Sequence, residues 1–196
     1  ESSPWILIGG PPCQAYSLVG RSRNAGIRGY SADDDHRHFL YRRYLDVLHK
    51  LRPDAFILEN VKGVLSSNVS EGPIFPKMLE DLSEPSRALH AHRRNSVGYR
   101  IVAAATRTCF EPGTSPFDVD PRDFVVKAER HGMAQARHRV ILIGVRDNIQ
   151  GNLGEPIASV PAITVGELLR DLPKVRSGLS KEDDDFDRWL RILRRQ

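Results

Sequence analysis

Cysteine is scarce: Cys13 and Cys109 are the only two in 196 residues. Two thiols that far apart exclude a disulfide framework and a Cys/His zinc site, so each needs its own explanation. Long apolar runs are also missing. Nothing approaches the ~20 residues that cross a bilayer, and no charged start, apolar stretch and small-residue cleavage site opens the chain. These absences give the expectation of an intracellular protein with no membrane partner. No internal repeat is visible, and the length and 40% hydrophobic content suit one domain with a real core. What remains is a basic balance, 29 Lys and Arg against 25 Asp and Glu, with a sequence pI of about 9.3. That suits a polyanionic partner without proving one.

Trp5-Ile6-Leu7-Ile8 is a short apolar run closed by Gly9-Gly10-Pro11-Pro12, which predicts a buried strand delivering Cys13 at its carboxyl end. From Ala15 to His38 the chain is polar and rich in Gly, Ser and Arg, a long loop that serves as a lid or carries no fixed structure. Leu40, Tyr44, Val47, Leu48 and Leu51 recur at helical spacing until Pro53 stops them. Ala55-Phe56-Ile57-Leu58 is a second strand ending at Glu59-Asn60. Strand, loop, helix, strand is a βαβ unit with parallel strands, which places Cys13 and Glu59 on one rim of the sheet. A second helix is expected around Ile74 to Leu82, a surface loop from Ser83 to Ser96, a third strand from Tyr99 and a loop or insertion from Thr106 to Arg122. A fourth strand is expected at Val140-Ile141-Leu142-Ile143. Thr164 to Glu167 has capping-box spacing before a short helix ended by Pro173. Phe186, Trp189, Leu190 and Leu193 mark a charged amphipathic helix, packed, partner-seeking or DNA-facing. The expected division is a catalytic segment at 1–173 and a helical tail at 174–196.

Three signatures stand at strand edges: Gly10-Pro11-Pro12-Cys13-Gln14, Glu59-Asn60-Val61 and Gln135-x-Arg137-x-Arg139. Ala15-Tyr16-Ser17 continues the first; Asp35-x-Arg37, Leu40-Tyr41 and Arg52-Pro53 add context. In this order they resemble the DNA (cytosine-5) methyltransferase family over roughly Trp5 to Arg146. The resemblance implies an α/β fold with a partial, doubly wound Rossmann-like methyltransferase sheet. It also implies double-stranded DNA as partner and S-adenosylmethionine as methyl donor.

The chemistry accounts for the residue types. Cytosine C5 is a poor nucleophile, and a thiolate adding at C6 turns the ring into an enamine whose C5 can attack a methyl sulfonium. By resemblance Cys13 is that thiolate, aided by nearby positive charge such as Arg137 and Arg139. Glu59 is the expected partner of N3, where the adduct gathers charge, and Arg137 or Arg139 holds O2 and the nearby phosphate. The target base must first leave the stack. Gln14, Ser17, Arg37, Asn60 and Gln135 are expected toward substrate and DNA, and Pro12 and Leu40 toward the donor. Cys109 has no such company and is expected to be inert. A buried thiol, a strand-end carboxylate and a solvated arginine edge are the corresponding bland readings.

The chain also departs from the family. The glycine turn and acidic residue that hold the donor are not recognised, nor is a target-recognition domain, and the sheet is expected to lack its first strands. The expectations that follow are a segment inactive by itself, a complementing N-terminal segment or second chain, and a cytoplasmic (bacterial) or nucleoid-associated location. A catalytically silent nucleic-acid-binding or scaffolding fragment and a transfer-RNA cytosine-5 methyltransferase are the alternatives.

Overall fold

The computed structural model describes residues 3–11, 38–69, 72–91, 96–151, 153–173, 176, 178 and 183–194. Two compact units divide at 163/164, ten residues before the boundary expected from sequence.

In the first unit, strand β1 (Ile6–Gly9) is followed by helix α1 (His38–Leu51) and strand β2 (Ala55–Val61), and β1 lies parallel to β2. The βαβ reading therefore holds. Helix α1 buries Tyr44, Leu45 and Leu48 along one side. It ends where Pro53 removes the helical conformation from the residue before it: Arg52 turns left-handed, with φ 49°. A short 3-10 turn (Lys62–Ser66) and a two-residue hairpin, β3 (Asn68–Val69) with β4 (Gly72–Pro73), lead to helix α2 (Ile74–Ser83). The segment after it is not simply a loop. Pro85 starts a helical turn, α3 (Pro85–Ala88), which buries Ser83 and Ser86, and the Ser86 hydroxyl sits 2.9 Å from His49 Nδ1.

Strand β5 (Tyr99–Ala103) pairs with β6 (Cys109–Phe110), a short strand inside the region expected to be loop. Strand β7 (Val125–Lys127) was not anticipated, and β8 (His138–Arg146) is nine residues long. The sheet order is β1-β2-β8-β5-β6, with β7 on the early half of β8. Strand β8 runs antiparallel to both β2 and β5. Thus β1, β2 and β5 share one direction, and β8 begins at the rim where they end. The fold is α/β with a mixed sheet.

One face of that sheet is packed. Phe56 is fully buried, edge-on to Tyr44 at 6.0 Å and to Tyr99 at 5.2 Å between ring centroids. Aromatic pairs prefer such tilted geometry, and burying the ring contributes about 2–3 kcal/mol. Gly144 stands opposite Phe56 in register, and a methyl group there would meet the ring at 2.0 Å. Leu58, Ile101, Leu142 and Val140 continue the layer under α2, which adds Phe75, Leu79 and Leu82.

The other face is apolar but open toward one side. Ile8, Ile57, Ile143 and Val102 stand abreast on four adjacent strands. The inner three are half-buried, whereas Ile8 on β1 is 73% exposed and Ile6 57%.

In the second unit Thr164 and Glu167 form the expected capping box on α4 (Val165–Leu168). Asp185 caps α5 (Phe186–Leu193). Arg176 pairs with Asp184 and lies 5.8 and 5.6 Å from the ring centroids of Phe186 and Trp189.

Candidate active site

Alternation along β2 sends Phe56, Leu58 and Asn60 to the packed face, and Ile57, Glu59 and Val61 to the open one. Glu59 faces Ile141 across the β2/β8 ladder, and Arg139 faces Val61. Long side chains reach diagonal neighbours in a sheet, and Arg139 Nε lies 2.6 Å from Glu59 Oε1. That spacing is a contact ion pair, but the Nε–H is not aimed along it and meets no acceptor, although the atom is buried. The guanidinium is anchored elsewhere: Nη1 donates to the His138 carbonyl at 2.8 Å. A half-exposed carboxylate therefore stands beside a buried, unspent N–H donor at the rim.

The end of β1 reaches the same place. A methyl group on Gly10 would come within 3.2 Å of Glu59 Oε2, so the peptide three residues before Cys13 runs against the Glu59 carboxylate. Gly9, one step earlier, lies against the Tyr44 ring, where a Cβ would meet Cε2 at 2.7 Å. At Gly9 a side chain has no room, whereas at Gly10 it would crowd the mobile end of Glu59. Composition showed them only as the stop of a strand.

Pro12, Cys13, Gln14, Ser17 and Arg37 lie outside the described residues, as does the expected lid. Asn60 is buried, and its Oδ1 accepts from the Val61 N–H at 2.8 Å, so its carboxamide shapes the strand end from the packed face. Gln135 and Arg137 are exposed on the loop joining β7 to β8, where the Arg137 N–H donates to the Gln135 carbonyl at 2.7 Å. The two arginines thus differ: Arg139 is drawn to Glu59, and Arg137 faces solvent. Leu40, on the first turn of α1, is 44% exposed. Among the described residues it is the only expected donor contact. Cys109 is half-buried on β6, and burial, then Glu111, pushes its thiol pKa up, away from reactive thiolate.

Sequence reading missed Glu129. Its Oε1 is 2.8 Å from His138 Nε2, and its Oε2 is buried without a partner. Its own backbone N–H and then His138 hold the carboxyl below its usual range, with a smaller contribution from Lys127. Glu129 lies two residues past the end of β7 and His138 is the first residue of β8, a relation visible only once β7 is recognised as a strand.

Residues 2–92 match the family model described as C-5 cytosine-specific DNA methylase. Type II methyltransferase M.Bpa9945I of Bacillus paralicheniformis is 33% identical over 144 residues, covering 74% of this chain and 26% of that protein. DNA (cytosine-5-)-methyltransferase M.ApeKI of Aeropyrum pernix is 29% identical over 166 residues, 80% of this chain and 30% of that protein. Among solved structures, a prophage-encoded E. coli protein assigned as a DNA modification methyltransferase is similar at 23% identity and a TM-score of 0.49. It spans 91% of this chain and 38% of that one. The chain spans less than a third of the length of these two curated relatives. By its matched motif region and these relatives, the chain belongs to the C-5 cytosine-specific DNA methylase family.

Proposed function

We propose that this chain carries the cytosine-activating part of a DNA (cytosine-5) methyltransferase. The observation that carries the reading is the Glu59–Arg139 pair, 2.6 Å between Oε1 and Nε with the Nε–H unspent, against which the Gly10 peptide leading to Cys13 runs. A pyrimidine presents N3 and O2 side by side, and the pair offers an acid and a donor at matching separation.

In this scheme the Cys13 thiolate bonds to C6 of a cytosine flipped from duplex DNA. Base entry draws Arg139 from Glu59 to O2, Glu59 takes up a solvent proton, and N3 receives that proton as the C5–C6 π electrons shift toward it. The enamine C5 then accepts an electrophile. With water as the proton source, C5 gains a solvent proton and loses its original one, and elimination of the thiolate, with N3 returning its proton to Glu59, restores cytosine. The family resemblance makes S-adenosylmethionine the methyl donor in the complete enzyme. No step here passes through it.

The open sheet face supports a second element of the reading. Parallel strands are stable when both faces are covered, and Ile6 and Ile8 are bare on an edge strand. A complementing segment or second chain that adds a strand beside β1 and a helix over Ile8 would complete the sheet, and methyl transfer by this chain alone is not expected.

The test is donor-independent. Duplex DNA with tritium at cytosine C5 should release it to water in the presence of the full chain, and 5-fluorocytosine DNA should trap a denaturant-stable adduct. Both should vanish in Cys13→Ser. Release or trapping that persists in that variant removes Cys13 from the chemistry. The same release from RNA and not DNA would assign the substrate to RNA.

A further inference from the structure

We propose that Glu129, acting through His138, is a positioning residue for the Arg137–Arg139 segment, an inference that rests on the role given to those arginines above. The segment's strand part is held by ladder pairs, Lys127 with His138 and both Val126 and Val61 with Arg139, and beyond these it hangs on few fixed points. Its ten-residue loop is closed across the base by the Ala128 N–H donating to the Arg137 carbonyl at 3.2 Å, and the Met133 N–H donates to the Ala128 carbonyl at 3.3 Å. The outer arm is strapped by residues 158–160: the Arg130 carbonyl accepts from Val160 N–H at 2.8 Å and from the Ser159 hydroxyl at 3.2 Å, and His131 Nδ1 donates to the Ala158 carbonyl at 2.9 Å. None of these contacts holds a side chain of β8.

The Glu129–His138 contact does. His138 is the first residue of β8 and lies between the two arginines, so strand alternation turns its ring away from the side on which Arg139 meets Glu59. Pulling that ring toward Glu129 adds a side-chain tether to the ladder pairs of residues 138 and 139 and trims the direction in which Arg137 and Arg139 leave the strand start. The His138 carbonyl also anchors the Arg139 guanidinium at 2.8 Å, so a displacement of residue 138 is passed on directly. The Glu129 carboxylate meets the imidazole through Oε1 and is held further by its own backbone N–H, so it is fixed in place to act on the ring.

The experiment compares the full native chain with Glu129→Ala and Glu129→Gln. It reads the 15N resonance of Arg139 Nε, the melting temperature, and kcat and KM for C5-hydrogen release. Glu129→Ala should shift the Arg139 Nε resonance and lower kcat about tenfold with KM within about twofold, the scale on which small misplacement of reacting groups acts. Glu129→Gln keeps an acceptor for the imidazole and should restore both to within about threefold. An unmoved Arg139 resonance with unchanged kcat, beside a lowered melting temperature, would overturn the proposal and leave a simple clamp. If Glu129→Ala does not fold, Glu129→Asp, one methylene shorter, takes its place with the same expected resonance shift. Absence of hydrogen release by the native chain would sink the proposed function, while the Arg139 resonance alone would still decide the positioning role.

Discussion

Arg139 contacts Glu59 diagonally: the residue opposite Glu59 on β8 is Ile141, and Arg139 comes two positions earlier with Nε 2.6 Å from the carboxylate. This arrangement requires β8 to run against β2. A parallel strand of the same sequence would place its arginines at the opposite rim.

The two arginines should therefore respond differently to the same substitution. Arg139→Lys keeps a charge but loses the Nε donor and the planar fork, and should slow C5-hydrogen release about 100-fold at saturating DNA. Arg137 is exposed, so Arg137→Lys, which keeps the charge, should leave the salt dependence of DNA binding unchanged and kcat within about threefold. Single-turnover and binding measurements across salt check both, and equal kcat losses would show that Arg137 also meets the base.

The adjacent glycines separate stability from site geometry. Gly9→Ala would push a methyl group into the Tyr44 ring and should cost about 1–3 kcal/mol in denaturant unfolding. Gly10→Ala meets only the end of the Glu59 side chain, which can swing. Its unfolding midpoint should stay near that of the native chain while hydrogen release drops about tenfold. A Gly10→Ala chain with native release would separate the β1 end from the site.

Alkali should expose the buried tyrosines. Burial, the largest cause at both residues, raises the Tyr44 and Tyr99 phenol pKa values well above the ordinary 10.0. A raised pKa in the folded state means that the unfolded chain ionises first. Stability from these phenols is complete below about pH 10 and is lost as pH rises from there toward the folded values. Urea midpoints at pH 8, 10 and 11 should fall with a slope that Tyr44→Phe and Tyr99→Phe each reduce. Slopes in both variants equal to that of the native chain would assign alkaline unfolding to other groups.

Much of the fold was legible because local patterns agree with it. The apolar run before Gly9-Gly10, the helical spacing ended by Pro53 and the capping box at Thr164 each act within a few residues, and each element forms where its pattern stands. Strand β7 was missed because three residues carry too little alternation to separate a strand from a loop. The turn at Pro85 was missed because polar Ser83 and Ser86 read as surface, whereas packing against α1 buries them.

By itself the sequence determined the chemistry on offer: a thiol after Pro-Pro, a carboxylate at a strand end, alternating arginines before an apolar strand, and through them the family. Short-range order suffices for that, because strand and helix periods are local. Tertiary structure alone decided which groups meet. Inserting β8 antiparallel between β2 and β5 joined Arg139 to Glu59, left Arg137 to solvent, turned Asn60 into the packed face and brought Glu129 to His138. Strand direction and register are set by the whole core, by Gly144 beneath Phe56 and by the rings on either side of it, and no single segment encodes them.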